Sequence, residues 1–297
     1  MARTGSQAAI RDGGIRDIER QLARLRAEAT AGDGDPGLRT SVMTHMAWVP
    51  EPWIDQATKT LGGLEERHPS RTILLFPRPD EPRDALDASV DLRCFASGGG
   101  VGAVCFEVIE IHLCGPRAAA PGTVVAPLLV ADLPAFLRWR GALPFGEPEL
   151  EQLAGLADRL IVDSIEWDDP DRDFERLPEV FHRIAISDIA WERLDPWRAA
   201  LAELWPGIAD VETLRVAAPR AEALLLAGWL SGRLRRNVEL EHEDGDEIEA
   251  VAVDDEPVDP GPSPPKSPSD LLSDQLDVFG RDAIYEEAVR SFSRVAT

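Results

Sequence analysis

The sequence predicts an α/β fold: two α/β units with mixed sheets flanked by helices, an N-terminal helix before them and a helical C-terminus after them. Three observations predict it. Short strand-forming runs alternate with helical patterns. Two strand-like runs are joined by the glycine-rich SGGGVG, which reads as a β-hairpin. The acidic run EWDDPDRD separates two such units.

The elements follow in order. Ile15 to Ala31 is an amphipathic helix with Ile15, Ile18, Leu22 and Leu25 on one stripe. GDGDPG breaks it, and RTSVMTHMAWV is rich in strand formers. Pro50 and Pro52 start a helix from about Glu51 to Arg67, which His68-Pro69 ends. Thr72 to Phe76 is a buried strand, and LDASVDLRCFA and AVCFEVIEIHLC form the hairpin. Val124 to Val130 reads as a short helix, Ala135 to Trp139 as a strand, Glu147 to Arg159 as a helix and Leu160 to Asp163 as a strand.

The second unit starts near Phe174 with a helix to about Arg183. A segment holding three tryptophans follows, SDIAWERLDPWRAALAELWP, helical from Pro196 with Asp195 as its N-cap. Val211 to Val216 is a strand and Pro219 to Leu234 a helix, with Arg233, Arg235 and Arg236 at its C-terminal end, where cations suit the helix dipole. NVELEHE and EIEAVAV read as short strands. The expected division is therefore 1–35 for the N-terminal helix and linker, 36–166 and 167–254 for the α/β domains, 255–268 for an acidic Pro/Ser-rich linker and 269–297 for C-terminal helices.

Charge and composition narrow the function. The 297 residues carry a formal charge of -23, which argues against nucleic acid and anionic membrane surfaces as partners. No apolar run reaches the roughly 18 to 20 residues of a membrane helix. The opening MARTGSQAAIRDGG has no signal core, so the chain is expected to be cytoplasmic.

Candidate chemistry is sparse. Gly98, Gly99, Gly100 and Gly102 lack dinucleotide-loop spacing and lead into a strand. A hairpin symmetric about Gly99 and Gly100 sets Cys94 opposite Cys105, giving a possible redox pair; the preferred reading is two buried free thiols. Glu110, His112 and Cys114 share a strand face without an evident fourth zinc ligand, so no metal is expected. His68, Ser70, Arg71 and Asp163 are possible phosphate-binding residues, with helix-stop and packing roles preferred for the first three. Ser164 lacks the G-x-S-x-G context of a nucleophile, and His182 falls inside the predicted helix. Trp191, Trp197, Arg198 and Trp205 suit either core plugs or a protein-docking surface.

Four ordered stretches then add a resemblance. RHPSRTILLF, PLLVADLPAFLRWRG, ADRLIVDS and DIAWERLDPWRAALAELW resemble segments of the glucose-6-phosphate dehydrogenase assembly protein family, OpcA. The likeness spans roughly 38–236. It implies a non-enzymatic partner that assembles or activates glucose-6-phosphate dehydrogenase and needs no cofactor. The first docking candidates are then Trp191, Trp197, Arg198 and Trp205, with Trp139 and Arg140 in the other domain. The family's photosynthetic branch is associated with redox control, whose cysteines do not map onto Cys94, Cys105 or Cys114. The alternative is a sugar-phosphate or nucleotide sensor using His68, Ser70, Arg71 and Asp163.

Overall fold

A computed structural model describes residues 4–33, 41–64, 67–96, 103–262 and 264–291. The loop holding Gly98, Gly99, Gly100 and Gly102 lies outside the described residues, as does most of the predicted GDGDPG break. The chain is mixed α/β, with an eight-stranded and a four-stranded sheet.

The first elements are β1 (Thr4–Ile10), α1 (Ile15–Asp33), β2 (Met43–Trp48), α2 (Ile54–Leu64), β3 (Ser70–Arg78), β4 (Leu86–Ala96) and β5 (Ala103–Cys114). Then come α3 (Pro121–Val125), β6 (Ala135–Trp139), α4 (Pro148–Ala154), β7 (Arg159–Val162), α5 (Pro170–Arg176) and β8 (Ala185–Asp188). The chain continues through α6 (Ile189–Arg193), α7 (Asp195–Glu203), β9 (Thr213–Ala218), α8 (Arg220–Leu234), β10 (Glu239–Asp244), β11 (Ala250–Val253) and β12 (Glu256–Pro257). It closes with α9 (Pro268–Leu276) and α10 (Ala283–Ser291). The large sheet has the order β1-β4-β5-β3-β2-β6-β7-β8, and the small one β10-β9-β11-β12.

Two compact units divide the chain. One comprises Met1–Arg140, Pro144–Leu160 and Pro268–Leu276; the other comprises Gly141–Leu143, Ile161–Ser267 and Asp277–Thr297. The N-terminal helix is thus part of the first unit rather than a separate segment: Ile18, Leu22 and Leu25 are buried, and Arg26 pairs with Glu107 of β5 at 2.5 Å. The two C-terminal helices belong to different units.

In the first unit β3 runs parallel to both β5 and β2, and β2 parallel to β6. Burial on both faces explains why β3 reads as a near-continuous apolar run, and β5 sends Ile109, Ile111 and Leu113 into the same core as Ile73 and Leu75. The hairpin β4–β5 is antiparallel. β1, absent from the sequence reading, pairs antiparallel with β4. Its residues, TGSQAAI, hold one β-branched side chain at each end, so register with a neighbour rather than propensity makes it a strand.

Helix α9 packs on α2 within this unit. Ser269 Oγ donates to the Thr60 carbonyl at 2.9 Å, and His68 and Ser273 hydrogen-bond at 2.7 Å. A Cβ on Gly63 would lie 2.3 Å from Ser269 Oγ. Gly63→Ala is therefore expected to speed amide exchange across 268–276 despite alanine's better helix propensity. Unchanged exchange there would mean that α9 is not seated by this contact.

In the second unit β9 is central, parallel to β10 and antiparallel to β11. α8 is buried around most of its circumference, as its run of leucines and alanines requires. The predicted helix from Phe174 to Arg183 is displaced: α5 starts at Pro170, capped by Asp169 accepting from the Arg172 amide, and a 3-10 turn, Leu177–Glu179, follows it. The acidic connector thus supplies a helix cap. α4 is shorter than expected, because Arg159 opens β7 instead of ending the helix. The strand read at Val211 to Val216 lies at Thr213–Ala218, and the helix read at Val124 to Val130 lies at Pro121–Val125.

Candidate functional site

The tryptophan-rich segment of the second unit builds a buried polar core and one exposed apolar tip. β8 ends at Asp188, whose Oδ1 accepts from the amides of Ser164 and Ala190, each at 3.0 Å. Asp188 is thus the N-cap of α6. The expected cap, Asp195, instead bonds Arg198, and α7 begins without a side-chain cap. Tyr285 of α10 donates its hydroxyl to Asp188 Oδ2 at 3.2 Å. Trp191 Nε1 donates to Asp282 at 2.9 Å, and the Arg198 guanidinium lies 3.6 Å from the Trp191 ring centroid.

Arg193 joins two further elements. Its Nη2 reaches Asp163 Oδ1 at 2.5 Å, after β7, and its Nε reaches Glu222 Oε1 at 2.6 Å, in α8. Burial raises the Glu222 pKa, and Arg193 opposes that rise without cancelling it. Burial also works against the Arg193 cation, but Asp163 and Glu222 more than offset it and its pKa stands above the ordinary value.

The six docking candidates fall into two groups. Trp191 and Trp197 are buried, and Arg198 is enclosed between Trp191 and Asp195. Trp139 stacks on Trp48 with centroids 5.0 Å apart, and Arg140 lies over Trp53 and bonds Gln56, both within the first unit. These five are packing residues in this structure. Trp205 differs: it is 65% exposed, next to Leu204 at 42%. The shared face expected of Trp197, Leu201, Leu204 and Trp205 is split, with the first two in the core.

The four phosphate candidates are engaged elsewhere. His68 is buried against Ser273, and Ser70 bonds Thr72 at 3.2 Å. Arg71 spends Nε on Glu107 at 2.9 Å and Nη1 on the Leu128 carbonyl at 2.6 Å. Burial alone would raise the Glu107 pKa, but Arg26 and Arg71 outweigh it and hold the carboxyl below its ordinary range. Asp163 lies in the second unit, bound by Arg193.

The remaining groups stand apart. The register sets Cys94 opposite Cys105, and Cys105 is disulfide-bonded, which replaces the free-thiol expectation for it. Glu110 accepts from Ser89 at 2.8 Å, His112 stacks on Phe76, and the Cys114 thiol donates to Glu81 at 3.2 Å. Among the described residues no three His, Cys, Asp or Glu side chains form a metal-holding group. His182 is exposed and lies outside any α-helix. Among the described residues no helix is long and apolar enough to cross a membrane.

Comparison with known proteins matches this sequence to a family along most of its length. Residues 63–179 match the family described as the glucose-6-phosphate dehydrogenase subunit N-terminal domain, and residues 184–289 its C-terminal domain. The chain belongs to the OpcA family. The OxPP cycle protein OpcA of Nostoc punctiforme is 28% identical over 192 residues, 61% of this chain and 41% of that protein. That of Synechococcus elongatus is 28% identical over 183 residues, 58% of this chain and 41% of the relative. A third, from Synechocystis, is 28% identical over 180 residues, 57% and 38% respectively. The chain thus spans about two fifths of the length of the curated relatives it matches.

Asp188, Arg193, Glu222, Asp282 and Tyr285 were not among the sequence candidates. A glutamate inside the otherwise apolar AEALLLAGWL was the available signal, since a charge there needs a buried partner.

Proposed function

We propose that this protein binds glucose-6-phosphate dehydrogenase and favours its assembled, active oligomer, without catalysing a reaction itself. The observation that carries the reading is the ordered match of both OpcA-family domains along the chain. The mechanism is differential binding: a partner that prefers the active oligomer shifts the population toward it. The polar side chains Trp191 and Arg193 of the tryptophan-rich segment are spent on Asp282, Glu222 and Asp163 of neighbouring elements, which suits a rigid platform better than a reacting centre.

On this reading Trp205 is the first docking residue, a large aromatic in solvent beside Leu204, of the kind that dominates interface energetics. Titration into the purified dehydrogenase from the same organism, following NADPH production, is expected to give a saturable rise in rate or a fall in apparent KM. A flat titration with no complex on size exclusion overturns the reading. Trp205→Ala is expected to weaken the complex by about thirtyfold, ~2 kcal/mol, with the melting temperature within about 1 °C of the parent. Binding at parental affinity would move the docking surface elsewhere.

A further inference from the structure

We propose that the C-terminal end of α8 carries a binding site for a small phosphate monoester, centred on Arg235 and Arg236. A shallow, solvent-open depression of about 590 Å³ lies there in the second unit, lined by Gly232, Arg235, Arg236, Asn237 and Glu287. That volume holds a small metabolite. Two arginines and an asparagine among its lining residues are the donor types that a dianionic phosphate takes.

The backbone gives an independent indication. Arg235 sits in the left-handed region with φ 54°, one residue past the helix. Glycine is the favoured occupant of that position, and a side chain there is strained. The cap itself needs no arginine. The Arg235 amide donates to the Gly232 carbonyl at 3.3 Å and the Arg236 amide to the Ser231 carbonyl at 3.2 Å. A strained, exposed arginine that the backbone cap does not require is the kind of outlier that accompanies functional sites, and it also sets a cation at the carbonyl end of α8.

The neighbouring charges leave that guanidinium available. Among the described residues Arg235 makes no ion pair and is exposed. Arg236 Nη1 donates to the Ala209 carbonyl at 3.4 Å and lies 4.0 Å from the solvent-exposed Asp210. Glu287 would repel an anion, but Arg233 neutralises it at 2.8 Å. The net charge of -23 repels anions at long range, so binding here is local and donor-specific rather than general attraction.

The test uses the full chain alone, with no dehydrogenase in the assay, so its outcome is separate from the partner reading. Inorganic phosphate and a hexose monophosphate are titrated against sodium chloride of matched ionic strength, followed by calorimetry and by melting temperature. Saturable binding of phosphate is expected, tighter for the sugar ester. Arg235→Gly is expected to raise the melting temperature in chloride, by relieving the left-handed residue, while weakening phosphate about tenfold, the loss of one charge-assisted hydrogen bond. Arg235→Lys should bind between the two. If phosphate stabilises no more than chloride does, or if Arg235→Gly keeps the parental affinity, the site is not there.

Discussion

Replacing Arg193 by methionine is expected to destabilise the second unit by about 3–5 kcal/mol, the cost of orphaning buried charges. Glu222 is 1% exposed and Asp163 is also buried. Both face the one guanidinium, at 2.6 and 2.5 Å. Without it the two carboxylates keep their desolvation penalty and lose the attraction that offsets it, and Asp188, itself buried, adds repulsion on Asp163. A lysine supplies one point charge where the arginine fork reaches two carboxylates, so Arg193→Lys should recover only part of the loss. Arg193→Met with Glu222→Leu should be less unstable than Arg193→Met alone, because it removes a stranded charge as well as a partner. Urea unfolding at neutral pH checks this. A methionine variant with a parental midpoint would show that solvent, not Arg193, satisfies the two acids.

The sequence carried the fold where burial and periodicity coincide. Ile73 to Phe76 is apolar because β3 is buried on both faces between its parallel neighbours β2 and β5, and along β5 Ile109, Ile111 and Leu113 alternate into the core, so both runs stand out. β1 did not stand out, since TGSQAAI has neither alternation nor bulky β-branched content and depends on the far-off β4 for its hydrogen bonds. Helix ends went astray where an aspartate stands at a helix start with another use for its carboxylate: Asp188 caps α6 through the Ala190 amide and also takes the Ser164 amide, whereas Asp195 at the start of α7 is bonded by Arg198. The candidate surface was legible only in part. Residue type marks Trp191, Trp197 and Trp205 alike, whereas exposure, which separates them, is a property of the whole unit's packing. The link between Arg193 and Glu222 spans 29 residues and leaves no local pattern beyond the misplaced charge in α8.

The pH dependence of stability should carry the signature of Asp188. Burial, and then the charge of Asp163, raise its pKa from 3.8 to about 6. The folded state therefore holds this proton over a range where the unfolded chain has lost it. The stabilisation is complete below about pH 4 and is lost as pH rises through about 6. Two pKa units correspond to roughly 3 kcal/mol as an upper bound. Asp188→Asn removes the titration while keeping the contacts. An asparagine oxygen can still accept from the amides of Ser164 and Ala190, and its nitrogen can donate to the Tyr285 oxygen. The variant should match the parent near pH 4 and exceed it by about 2–3 kcal/mol near pH 7.5. Acids held by arginines, such as Glu107 and Asp171, pull the parent's own curve the other way, because their lowered pKa values add stability above the carboxylate range. They are common to both proteins and cancel in the difference. Urea unfolding at three pH values between about 4 and 7.5 gives that difference directly. A constant offset would mean that Asp188 keeps one protonation state throughout. A difference of opposite sign would mean that its three hydrogen bonds stabilise the carboxylate by more than burial costs it.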